Sequence, residues 1–170
     1  MRNSIRLATL GALLSAVSVG SVAHAADTAT ATASAEVLST IAVTKDLDLS
    51  FGQIAVNGTG TVALAATGGA PTCSAQVICA GTTQPAEFTI TGADSIAVVA
   101  SVVETSIDLV HATDAAKKFT LDNFGVAFQG TGVLTGGVEK FNVGGTLNVD
   151  TANALAGVYA GTFTVSVDYN

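Results

Sequence analysis

From Gly157 to Asn170 the chain alternates in character residue by residue. Tyr159, Phe163, Val165, Val167 and Tyr169 stand at odd positions with Gly161 among them, and Thr164, Ser166, Asp168 and Asn170 fill the even ones. Successive side chains of a strand point to opposite faces, so this spacing predicts a strand with one apolar and one wet face. An unpaired strand of that kind would template aggregation, and it is therefore expected to pair near the centre of a sheet.

The same period recurs upstream. Leu47, Leu49 and Phe51 alternate with Asp46, Asp48 and Ser50; Val62, Leu64 and Ala66 form a second run, and Phe88 and Ile90 a third. Asn57-Gly58 between the first two predicts a turn, since Asn-Gly readily takes positive φ. The run from Ile96 to Val103 lacks a polar face and predicts a strand covered on both sides. Ile107 to Val110 is a weaker strand. Phe119 and Leu121 are odd, whereas Phe124, Val126 and Phe128 are even, so a bulge is expected near Asn123. Phe141, Val143, Leu147 and Val149 alternate again, with Gly144-Gly145 marking a bulge or a close backbone approach. About eight to ten short strands at this spacing imply a sandwich or a barrel, and the expectation is an all-β, immunoglobulin-like antiparallel β-sandwich over residues 45–170.

Residues 26–44 read differently. Ala29, Ala31, Ala33, Ala35, Val37, Ile41 and Val43 alternate with Thr28, Thr30, Thr32, Ser34, Glu36 and Thr40. Two readings stay open: a flexible Ala/Thr linker, or an extended strand that lies in a groove of this subunit or another. Ala buries little area, so on the second reading Val37, Ile41 and Val43 carry the anchoring.

The first residues bear on compartment. Arg2 and Arg6 precede an apolar run from Leu7 to Val22 and a small-residue site at Ala23-His24-Ala25, the layout of a secretory signal peptide over residues 1–25. The run is short and broken by Gly and Ser, which argues against a membrane anchor, and no stable span is expected after cleavage. Removing 25 of 170 residues leaves 145, the size of one domain. Four Lys against 13 acidic residues then give a charge of −9, a poor match for nucleic acid or anionic lipid. An apolar content of 49% with 18 Gly and no Trp fits a packed domain.

Chemistry has little foothold. Cys73 and Cys79 are the only cysteines, and in an exported chain they are expected to form a disulfide rather than a redox or zinc site. His111 reads as a loop histidine, and no Ser lies in a G-x-S-x-G elbow. Asp46 and Asp48 share a strand face without the spacing of a calcium loop. No catalytic, cofactor-binding or metal-binding residue is predicted.

Four segments, Asp48-Leu49-Ser50-Phe51-Gly52, Phe88-Thr89-Ile90-Thr91-Gly92, Val143-Gly144-Gly145-Thr146-Leu147 and Gly157-Val158-Tyr159-Ala160-Gly161-Thr162-Phe163, together resemble the exported bacterial domain-of-unknown-function family 4402. That resemblance implies a secreted β-sandwich with no enzyme activity to carry over. The end of the chain also resembles chaperone–usher pilins of the spore-coat-U type, through the penultimate Tyr169 and through Gly157 near the start of the last strand. In those pilins an incomplete sandwich receives a strand from the next subunit. This chain departs from them in its closely spaced cysteines and in the small Ala residues of its N-terminal stretch. The expectation is a fimbrial-type or surface-adhesion subunit that adds strands to copies of itself or related subunits. Its competitor is a monomeric periplasmic or secreted binding module.

Overall fold

From Glu139 to Val149 the odd residues are buried without a break, and the chain there forms the longest strand of the molecule. The computed structural model describes residues 27–170, so the expected signal peptide lies outside the described residues. Among those residues there are twelve strands and no helix. They are β1 (Ala42–Leu47), β2 (Gln53–Val56), β3 (Gly60–Leu64), β4 (Thr72–Cys73), β5 (Val77–Ala80) and β6 (Ala86–Thr91). The second half holds β7 (Val98–Val102), β8 (Ser106–His111), β9 (Lys118–Phe128), β10 (Val138–Val149), β11 (Tyr159–Ala160) and β12 (Val165–Tyr169). Four of the twelve are only two to four residues long, too short to show a period, which is why the sequence suggests fewer.

All pairings are antiparallel, and the fold is β-sandwich-like. An eight-stranded sheet runs β1-β6-β10-β9-β8-β11, with β3 and β4 branching from β10. β10 is its axis. One edge pairs along its length with β9, while the other is shared by β6 over Val138–Val143 and β3 over Gly145–Val149. Where one neighbour gives way to the next, a Cβ on Gly144 would stand 2.2 Å from the carbonyl oxygen of Leu64 and 2.5 Å from the nitrogen of Ala66. Only glycine lets the backbones approach so closely.

The expected bulge sits at Asn123, which has φ 48°. Gly144 faces Gly125 but Thr146 faces Asp122, so β9 holds one residue more than its partner. That extra residue switches the parity of the core face. Phe119 and Leu121 before it, and Phe124, Val126 and Phe128 after it, therefore all pack inward.

Two smaller sheets, β2-β5 and β7-β12, contribute to two core clusters. Phe51, Val62, Leu64, Val77, Phe119, Leu121, Leu147 and Val149 form one; Ala86, Phe88, Ile90, Val98, Leu134, Phe141, Val143 and Val167 form the other. Leu49 and Phe124 pack against both. The Cys73–Cys79 disulfide joins β4, in the large sheet, to β5, in a small one. In the loop-entropy account so short a closure contributes about 2–3 kcal/mol.

Several expectations change. The C-terminal stretch is not one central strand: Tyr159–Ala160 pairs with β8, and Val165–Tyr169 pairs only with β7. The break follows from Gly161, whose missing Cβ lets the chain pass 2.6 Å (ideal Cβ to oxygen) from the carbonyl of Asp108, and from Thr164, tied to the Glu104 carboxylate. The run from Ile96 to Val103 is covered on one face only, with Val99 and Val103 exposed, because its two-stranded sheet has nothing on its outer side among the described residues. Asn57 and Gly58 form a bend, but β2 and β3 do not pair across it. Asp27–Ala35 is exposed and has no regular secondary structure, as does Glu36–Thr40. Strand structure begins at Ala42.

Gly144→Ala is expected to destabilise the domain by about 1–3 kcal/mol, the range for overpacking. Gly125→Ala, where a Cβ meets nothing within 4 Å, should cost much less in the same urea titration. Equal midpoints for the two variants would remove Gly144 from its assigned role.

Candidate functional site

The main path of the sheet ends at β1 and β11, and both border one cleft. β1 pairs with β6 alone and β11 with β8 alone among the described residues. Between them lies a cavity of about 360 Å³. Its buried lining comprises Phe51, Ala86, Phe88 and Leu121, and its half-buried lining Leu49, Ile107, Leu109, Tyr159 and Phe163. Lys45, Leu47, Asp48 and Thr162 are exposed around it. A Lys45–Asp48 ion pair neutralises this rim.

β1 is held to the sheet by side chains on its outer surface. Lys140 on β10 reaches Glu87 on β6 at 2.6 Å and Asp46 on β1 at 3.2 Å. Hydrogen bonds from Thr89 and then Lys140 hold Asp46 below the usual carboxylate range. Those from Lys140 and Gln129 do the same for Glu87, and Lys140 is raised in turn by Glu87 and Asp46. Such exposed pairs add little stability, so their effect is on the register of an edge strand. All six residues of β1 are exposed, including Val43 and Leu47.

The C-terminal motif residues separate. Tyr159 stacks on Phe119 at 4.4 Å and meets the His111 ring edge-on. Its hydroxyl donates to the Asn153 carbonyl at 2.6 Å and accepts from the Leu155 nitrogen. Gly157 has φ 153°, and a Cβ there would stand 2.1 Å from His111 Nε2. His111 closes β8 and is buried rather than sitting in a loop. Its Nδ1 accepts from the Thr113 nitrogen, which leaves Nε2–H to donate to the Ala156 carbonyl, so the ring is engaged on both sides. A histidine so satisfied holds the 153–159 connection in place.

Phe163, Val165, Val167 and Tyr169 belong to the other cluster, where Phe163 packs on Phe124 and Phe88. The Tyr169 hydroxyl accepts from the Ala93 nitrogen and donates to the Ser39 carbonyl, both at 2.7 Å. It thereby fixes the base of the N-terminal segment. Of the three anchor residues expected there, Ile41 packs against the core, Val43 pairs with Ile90 inside β1, and Val37 is 94% exposed. The sequence reading missed the Tyr169–Ser39 clamp, because a hydrogen bond spanning 130 residues leaves no local pattern.

A second, polar depression near Thr59–Thr61 and Asn148–Asp150 has its groups already engaged, Lys118 with Asp108 and Asp150 with Asn153. No group of three His, Cys, Asp or Glu that could hold a metal ion occurs among the described residues.

Below about pH 4, β1 should loosen. Carboxylates whose folded pKa is lowered stabilise the fold above their unfolded values, about 3.9 for Asp and 4.3 for Glu. That contribution is lost as pH falls through the folded values. Amide exchange in Ala42–Leu47 should therefore rise in acid, and Lys140→Met should raise it already at neutral pH. Unchanged exchange in that variant would mean that backbone pairing alone holds the strand.

Tyr169→Phe removes one hydroxyl that both donates and accepts, and should cost about 1 kcal/mol or somewhat more. Proteolysis near Ser39 is expected to accelerate in this variant, while Tyr159→Phe should leave that site unchanged. Equal protection of Ser39 in both would refute the clamp.

A family model described as "Domain of unknown function (DUF4402)" matches residues 41–169, beginning where Ile41 meets the core. No curated protein and no solved structure matches the chain.

Proposed function

We propose a structural role for this chain, which belongs to the family described as "Domain of unknown function (DUF4402)". It is an exported fimbrial-type or surface-adhesion subunit that assembles with copies of itself, or with related subunits, by adding an extended strand. The observation that carries this reading is the pairing of two features in one chain. Residues 27–40 are exposed and without regular structure, and the end strands of the main sheet keep unpaired edges beside an apolar cleft among the described residues. A strand edge with unpaired N–H and C=O groups is a template for another strand, and backbone pairing is what strand addition uses. Export is supported by the N-terminal sequence pattern and by the disulfide, which suits an oxidising compartment.

One observation favours a second reading, a monomeric periplasmic or secreted binding module. Ile41 and Val43 are already taken up by their own domain, so the chain partly completes itself.

The two readings differ in oligomeric state. Protein recovered after export is expected to elute as a concentration-dependent series above the monomer in size-exclusion chromatography with light scattering. Ala33→Asp combined with Val37→Asp should return it to monomer without changing its urea midpoint. A wild-type protein that stays monomeric at all concentrations would overturn the subunit reading in favour of the binding module.

A further inference from the structure

We infer that the seam between β1 and β11 is the acceptor site, and that its occupant is the 29–37 segment of a second copy. This rests on the subunit reading above and names where the added strand goes. Three observations lead to it.

The first concerns what the seam lacks. β1 and β11, at the two ends of the sheet's main path, both line the same cleft through Lys45, Leu47 and Tyr159. An unpaired strand edge calls for backbone donors and acceptors, which a small apolar ligand does not have. Six of the ten exposed large hydrophobic residues lie in the segments leading into or forming these end strands: Val37, Leu38, Val43, Leu47, Leu155 and Val158.

The second concerns size. A cleft of about 360 Å³ is at the low end for ligand pockets, roughly 300–1,000 Å³. A strand entering it must present small side chains, and Ala29, Ala31, Ala33 and Ala35 share one face of an extended segment with Val37. Larger residues would overpack the space. The segment's one charge between residues 29 and 37 is Glu36, on the opposite face, and the Lys45–Asp48 pair leaves the rim neutral.

The third concerns which copy donates. The Tyr169 hydroxyl holds Ser39, and Ile41 packs into the core. The segment's root thus lies before the start of β1, whereas the cleft lies at Lys45–Leu47. To fill its own seam, the chain would have to reverse at Leu38-Ser39-Thr40, which contains no Gly, Pro, Asn or Asp. A second copy needs no such reversal.

The test is disulfide trapping with full-length exported protein, in which the native cysteines are already bonded to each other. One chain carries Thr162→Cys; its partner carries a single cysteine at Ala31, Ala33, Ala35 or Val37, or at the even positions Thr32 or Ser34 as controls. All these sites are exposed, so folding is not at stake. Mixed under mild oxidation, the odd-position variants should give a cross-linked heterodimer on non-reducing gels, and the even ones only background. Oligomers without any odd-position cross-link would overturn the seam while leaving the subunit reading intact. Absence of both oligomers and cross-links would overturn the two together. A cross-link that forms only when both cysteines sit in one chain would overturn donation by a second copy.

Discussion

The fold depends on one strand finding partners on both edges, with two of them end to end on the same side. β10 can hold β6 and β3 in succession only because Gly144 carries no side chain where the chain of Leu64 to Ala66 crosses. On the far edge, β9 pairs with the same strand past the point where one neighbour gives way to the other. The extra residue at Asn123 lets β9 change parity while keeping its aromatic side chains on the core side. A glycine and a bulge, nearly opposite each other, thus set the geometry of the main sheet.

From this arrangement the division of the core follows. The half of β10 that pairs with β3 serves one cluster, and the half that pairs with β6 serves the other. The chain after Gly157 must then supply both. Tyr159 goes to the first, where it stacks on Phe119, and Phe163 to Tyr169 go to the second. The irregular Gly161–Thr164 crossing between them is the consequence, and it leaves β11 only two residues long. A short end strand of that kind covers little of its neighbour, so the cleft beside it stays open.

Local alternation made most of the large sheet legible. Phe88 and Ile90, Val62 and Leu64, and Phe141 through Val149 all face inward as their period demands, and the parity change around Asn123 could be read directly. Alternation fixes a strand's faces and says nothing of its neighbours. The last fourteen residues therefore looked like one central strand, although they divide between two sheets. The run from Ile96 to Val103 misled for a related reason: an apolar face carries the same letters whether it is covered or exposed. Of the candidate site, the sequence showed only the alternation at residues 29–37, which is equally that of a linker or of an extended strand. The site's cleft is assembled from five separate stretches and leaves no contiguous signature.

What remains is the relation between an edge strand and its protection. Natural sheets blunt their edges with charge, brevity, bulges or cover. β11 is brief, and β1 has Lys45 and a register shift before Leu47, so neither edge is wholly undefended. Yet β1 is six residues long, exposed throughout, and pinned to the sheet by Lys140 acting across β6. Holding an exposed strand against the sheet keeps its free edge presentable despite that shift. A chain selected only to avoid edge-to-edge association gains nothing from that. A chain that uses the edge to receive another strand depends on it, and the clamp from Tyr169 to Ser39 completes the logic by holding the root of its own N-terminal segment at the start of β1, before the cleft-lining residues.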